Sequence, residues 1–239
     1  MKNSKAKYRV TQSNSLIMAP RKKQMSIQEM KLFSMMITTV QPNDKEFEIQ
    51  RISVVEFSKI MNLNETDYKH IRRVLKKISE NSVEIIEDDG PLYVPFFSRI
   101  KYFDGKGIIE FKFSDDIKHY LLQLHKEFTS YKLSAIASMK STYSFRIYEL
   151  AKKWEGIGKF VYELEKLRQL IGATQKSYDL FGSFKQRALK PALEEINENP
   201  NCDITISFEE IKVGKKVTEL AFTVKSKSSN PKINKNNKE

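Results

Sequence analysis

The chain has 239 residues, with 42 Lys+Arg against 30 Asp+Glu, a formal net charge of +12 and a pI near 9.5. At 40% hydrophobic and 30% charged it has the composition of a globular protein, long enough for one large domain or two of ordinary size. The cationic excess suits a polyanionic partner, nucleic acid before an acidic membrane surface. No apolar run approaches the roughly 20 residues of a membrane helix, and "LFSMMITTV", residues 32–40, reads as a buried helix. "MKNSKAKYRV" lacks the apolar segment of a secretory signal, and the single cysteine, Cys202, cannot close an internal disulfide, so the expected location is the reducing cytoplasm.

Residues 1–19 are polar except for "SLIM" and are expected to begin as an extended arm. Ser26 and Glu29 have the spacing of a capping box and open a helix whose buried stripe is Met30, Phe33, Met36, Ile37 and Val40. "QPND" stops it. Ser53 and Glu56 form a second box and start a short helix through Met61, with "NLNET" as the turn after it. A third helix runs from about Asp67 to Glu80. "SVEII", "LYVPFFSRIKYF" and "IIEFKF" then read as strands, the last two joined by a "DGKG" hairpin turn. Three helices followed by a hairpin, with a small strand between the first two helices, is the layout of a winged helix. Residues 115–124, "DDIKHYLLQL", are expected to add a closing helix.

The second half repeats this order. "STYSFRIYELAKKW" is a helix, "KFVYELEKLRQLIGA" a short strand and helix, "FGSFKQRALKPALEEINEN" a third helix, and "DITISF" with "VTELAFTV" a hairpin around "KVGKK". "FSKIMN" overlays "LRQLIG" at an offset of 110 residues, and "ISEN" overlays "INEN" at 118. The expected fold is therefore α+β: two tandem winged-helix domains related by duplication, residues 1–127 and 128–226, with a basic disordered tail over 227–239.

In a helix-turn-helix the third helix enters the major groove, so it needs an apolar face for its own core and donors on the other. At about 100° per residue, Ile71, Val74, Leu75 and Ile78 fall on one side of the first third helix. Lys69, Arg73, Lys76 and Lys77 fall opposite, with Arg72 at the edge. In the second, Arg187 and Lys190 point outward, with Lys185 and Gln186 at the leading turn; arginine suits guanine and glutamine adenine, while lysines hold phosphate. Lys212, Lys215 and Lys216 at the hairpin tip are candidate contacts to the backbone or the minor groove. Pro191 interrupts the second helix between a basic and an acidic end, and a bend is expected there, with Glu194, Glu195 and Glu198 directed away from DNA.

Enzyme chemistry has little support. There is no phosphate-cradling glycine loop, and His70, His119 and His125 form no H-x-H pair. Asp115 and Asp116 read as helix-start acids rather than as metal ligands with His119, and Cys202 as an inert residue; neither a metal nor another cofactor is expected.

"FRIYELAKKW", "LEKLRQLIGA", "YDLFGSFKQRALKPALEEINEN" and "KVGKKVTELAFTV", with "YRVTQSNSLIMAPRKKQMSIQEMKLFSMMI" in the first half, resemble the initiator Rep protein family in order and spacing. These are the winged-helix replication initiators of theta-replicating, iteron-bearing plasmids. The resemblance implies monomers that bind double-stranded DNA at direct origin repeats, assist origin opening and recruit host replication proteins such as helicase. It also implies homodimers, in equilibrium with monomers, that repress their own promoter. It makes the second-domain third helix the main sequence reader, at Lys185, Gln186, Arg187 and Lys190. Many relatives carry Lys-Arg-Arg where this chain has Lys185, Gln186 and Arg187, which implies a different base preference. A transcriptional regulator without origin function and a DNA-nicking initiator remain as alternatives.

Overall fold

The computed structural model describes residues 8–19, 23–41, 43–61, 67–87 and 89–227. The start of the expected arm, Pro42 of the "QPND" stop, the "NLNET" turn and all but the first residue of the expected tail lie outside them. In the arm, β1 (Arg9–Ser13) leads into α1 (Asn14–Met18), where Ser13 Oγ accepts the Leu16 N–H at 3.1 Å, so "SLIM" belongs to a capped helical turn rather than to extended chain.

The first winged helix follows the local signals closely. The Ser26–Glu29 box is formed in both directions and opens α2 (Ile27–Ile37). The Thr38 and Thr39 hydroxyls bond the carbonyls of Met35 and Met36 and close the helix before Val40. β2 (Gln50–Ser53) passes directly into α3 (Val54–Ile60), and α4 (Tyr68–Ser79) starts on the side chain of Asp67. Ile71, Val74, Leu75 and Ile78 of α4 are buried, as its wheel requires.

The strand region departs from expectation. β3 (Ser82–Glu87) and β4 (Gly90–Pro95) form a separate hairpin, and the chain bends at Phe96 before β5 (Phe97–Phe103) and β6 (Ile108–Phe113). A pleated strand turns successive side chains to opposite faces. Phe96 and Phe97 both enter the core against Phe33, so one unbroken strand over residues 92–103 cannot serve. The expected closing helix likewise shrinks to a 3-10 turn at Asp115–Ile117 and α5 (Lys118–Leu121). Leu121 and Leu122 are both buried, and the chain turns extended at Leu122 to seat them.

No element was expected over residues 128–140. There β7 (Phe128–Lys132) pairs antiparallel with β1, and α6 (Leu133–Ala137) leads to the second winged helix. That unit comprises α7 (Thr142–Trp154), β8 (Lys159–Glu163), α8 (Leu164–Ile171), a long helical segment, β9 (Ile204–Val213) and β10 (Lys216–Ser226). The helical segment is α9 (Phe181–Phe184), a π-turn over Lys185–Leu189, and α10 (Lys190–Glu198).

The duplication is visible in the topology. Each wing sheet places its last strand in the centre, in the orders β2-β6-β5 and β8-β10-β9. The strand-to-helix junctions Ser53–Val54 and Glu163–Leu164 lie 110 residues apart, at the offset of the sequence overlay. The "ISEN"/"INEN" match has a structural cause: Asn81 and Asn199 are both buried beyond a third helix. Asn81 bonds both the N–H (3.3 Å) and the carbonyl (3.0 Å) of Lys23, ahead of α2; Asn199 Nδ2 bonds the Ala135 carbonyl at 2.9 Å, ahead of α7. In each half, one asparagine ties the end of the third helix to the approach of the first.

Candidate nucleic-acid interface

On α4 the cations Lys69, Arg72, Arg73, Lys76 and Lys77 are all exposed. Lys69, Arg72, Arg73 and Lys76, with Asp67, line a shallow concavity of about 690 Å³. Among the described residues Lys69, Arg73 and Lys76 have neither an ion pair nor a side-chain hydrogen bond, so their donors are available to phosphate. Arg72 reaches Asp104 in the β5–β6 turn at 3.0 Å, and Lys77 lies 3.9 Å from Glu29 of α2.

The third helix of the second unit owes its shape to Pro191. Without an N–H, Pro191 cannot bond the Arg187 carbonyl, and its ring crowds that carbonyl. The turn ahead of it widens: the Lys190 N–H bonds the Lys185 carbonyl, five residues back. Backbone angles remain helical across the junction, at Leu189 and Lys190 alike, so the irregularity lies in the basic turn before the proline rather than in a break at it. Such π-turns are concentrated at functional sites. This one contains Gln186 and Arg187, both exposed and unpaired among the described residues, and is followed by exposed, unpaired Lys190.

Two expectations for this helix change. Lys185 is turned inward, half-buried, and paired with Glu210 of β9, so it anchors the helix to the wing. Glu195 is not a solvent-facing acid; its carboxylate accepts the N–H groups of Lys140 (2.7 Å) and Ser141 (3.2 Å) at the entry to α7. Glu194 and Glu198 are exposed as expected. At the wing tip β9 and β10 are joined by a two-residue turn, with Gly214 at φ +62°, where a side chain would be strained. Lys215 and Lys216 are exposed there, and Lys212 is exposed but lies 3.3 Å from Glu210.

Residues outside the expected set hold this surface in place. Arg168, buried in α8, donates to the Ala173 carbonyl, Glu165 and Asp179, which locks the turn between α8 and α9. Gly172 completes that turn at φ +75°, and the Gln24 amide donates to its carbonyl at 2.9 Å. In sequence an arginine on an amphipathic helix gives no sign of being buried; the "ISEN"/"INEN" match, read there only as repetition, is the one signal that could have marked a positioning residue.

Asp115 pairs with Lys112 at 3.3 Å, and Asp116 accepts from Ser114 Oγ at 2.9 Å, as befits acids at a helical start. No group of three or more His, Cys, Asp or Glu among the described residues could hold a metal ion. No helix of the described residues is long and apolar enough to cross a membrane. Burial pushes the Cys202 thiol up to about 12, so it carries no thiolate at neutral pH.

Two three-helix units, each closed by a hairpin wing and each presenting a basic third helix, define a tandem winged-helix protein. Family models match both units: "Initiator Replication protein, WH1" over residues 9–152 and "Initiator Rep protein, WH2" over residues 163–224. The chain belongs to the initiator Rep protein family. A replication initiation protein of Escherichia coli is 27% identical over 179 residues, covering 71% of this chain and 54% of that protein. An uncharacterized 27.6 kDa protein of Escherichia coli is 22% identical over 152 residues, 62% of this chain and 64% of its own. The chain thus spans about half to two thirds of the length of these relatives. Among solved structures, the crystal structure of the Pi initiator protein in complex with iteron DNA superposes with a TM-score of 0.78 at 18% identity, over 92% of this chain and 97% of that one, which establishes a shared fold.

Proposed function

We propose that this chain is a plasmid replication initiator that binds direct repeats at its origin through both winged helices. The observation that carries the reading is the pair of third helices whose outward cations, Lys69, Arg73 and Lys76 in one and Arg187 and Lys190 in the other, are unpaired among the described residues. The shared fold with an initiator solved on iteron DNA supports it. In this reading the first domain, to about residue 127, supplies mainly backbone contacts, and the second, residues 128–226, reads bases with Gln186 and Arg187. Lys215 and Lys216 follow the backbone from the wing, while Lys212 beside them is held by Glu210. The protein acts in the cytoplasm by binding, without catalysis or cofactor, and hands the opened origin to host replication proteins; a homodimer represses its own promoter.

The test is footprinting on the DNA that flanks the gene, together with incubation of supercoiled plasmid with divalent metal. Protection of successive direct repeats, each about two helical turns long, with no nicked product, is the expected result. Protection confined to an inverted repeat in the promoter would make the chain a regulator only. Nicking would overturn the non-enzymatic reading.

A further inference from the structure

The two wings share a feature that the overlay of the halves does not predict. In each wing hairpin an aromatic residue of the first strand is followed two positions later by an acid: Tyr102 near the end of β5 with Asp104 at the start of the β5–β6 turn, and Phe208 with Glu210 within β9. In both domains that acid takes a cation from the reading helix. Arg72 Nη2 donates to Asp104 Oδ2 at 3.0 Å with its guanidinium 5.9 Å from the Tyr102 ring centre. Lys185 pairs with Glu210 with its ammonium 5.9 Å from the rings of both Phe208 and Phe181. The cations differ in position, near the middle of α4 in one case and at the leading turn of the helix in the other, so the shared part is the wing's acid.

A carboxylate on the DNA-facing side of a chain of net charge +12 works against affinity, because it repels phosphate and occupies a cation that would otherwise bind it. We propose that Asp104 and Glu210 are specificity-determining residues: each binds one reading-helix cation to the wing, fixing the wing against the helix and holding down sequence-independent affinity. Discrimination is a difference between affinities, and it improves when binding to the wrong partner is penalised. Glu210 is the stronger of the two. It is largely covered, it also holds Lys212 at 3.3 Å, and the Lys185 hydrogen bond keeps its carboxyl below the usual range, so it stays ionised at neutral pH. The Arg72–Asp104 pair is exposed on both sides and individually weak.

This inference rests on the DNA-binding reading, and the test separates the two. Glu210→Gln and Asp104→Asn are titrated in the full chain against a duplex selected by the wild type from a random pool and against a scrambled duplex of the same composition, at several salt concentrations. For the scrambled duplex, Glu210→Gln is expected to tighten binding several-fold. Its slope of log K on log salt should steepen by about 0.9 for each released cation, and by about 0.9 in Asp104→Asn. The preference for the selected duplex should shrink about three- to tenfold. Adding Arg72→Gln to Asp104→Asn should return the slope to its wild-type value. Parallel weakening on both duplexes, or an unchanged slope and preference, overturns the inference. A wild type that prefers neither duplex overturns the DNA reading itself. Circular dichroism checks the fold, and the exposed Asp104 decides the matter alone if Glu210→Gln unfolds.

Discussion

Arg187 and Lys76 are both exposed cations on a third helix, yet their chemistry separates them. A guanidinium can bond two acceptors on one base edge, whereas an ammonium is a point charge suited to phosphate. Arg187→Ala is expected to relax base preference at one position of the half-site at a cost of about 1–3 kcal/mol on the matched sequence. Lys76→Ala should weaken all sequences about equally and flatten the salt slope by about 0.9. Binding of single-base variants of the selected duplex decides between them, and uniform loss in Arg187→Ala would remove it as a reader. Cys202 supplies a second check at this scale. With its thiol pushed up to about 12 by burial, it should react with a thiol reagent at neutral pH far more slowly in the native protein than after denaturation. Which lysines would bind outward was only partly legible. The wheel separated α4 into faces because it is a regular helix, but Lys185 opens a widened turn and meets an acid 25 residues away.

For the elements, sequence reasoning succeeded wherever a signal is local. The two-way box at Ser26, the Ser53 half of the second box, the helix starts at Asp67 and Ser141, the buried stripe of α4 and the glycine at the β9–β10 turn all appear in the structure because neighbours in sequence bring them about; the Glu56 carboxylate instead accepts from the Tyr8 hydroxyl. It failed at Phe96–Phe97 and Leu121–Leu122, where consecutive apolar residues both had to be buried and the chain turned to do so. Pro191 was legible as an irregularity, but its consequence is a π-turn one step earlier. The paired asparagines give a prediction for the elements they join. Asn199→Ala leaves the buried Ala135 carbonyl without its partner, and Asn81→Ala does the same to part-buried backbone groups of Lys23; the first is expected to cost about 1–3 kcal/mol in urea unfolding and the second less. An unchanged midpoint in both would mean that the third helices need no such tie.

In the whole molecule the two halves are joined by a buried polar network that no local pattern announces. Arg146 of α7 pairs with Glu149 at 2.6 Å and donates to the carbonyls of Ile17 and Leu170. Glu149 in turn accepts from Gln12 of β1 and Tyr131 of β7, each at 2.8 Å. The N-terminal arm, the segment between the halves and the second domain thus meet at one ion pair. Burial, with the Glu149 charge beside it, keeps the Tyr131 hydroxyl protonated as a donor far above neutral pH. Glu149→Ala strands the Arg146 charge and is expected to cost about 3–5 kcal/mol by chemical denaturation. A loss below about 1 kcal/mol, the size of an exposed pair, would mean that the network is open to water.

The amino-acid sequence by itself determined the order of the three helices and the wing strands within each half, their repetition, the basic faces of the third helices and the acidic end beyond Pro191. All of these follow from periodicity, caps and turn residues that act over a few positions. Only the tertiary structure decided which charges remain unpaired among the described residues. Lys185 and Arg72 are taken by wing acids, Glu195 by the entry to α7, and Arg146 with Glu149 by the junction of the halves. Each of these partnerships depends on packing between separate elements, and the charge of a residue does not record which neighbour the fold will bring to it.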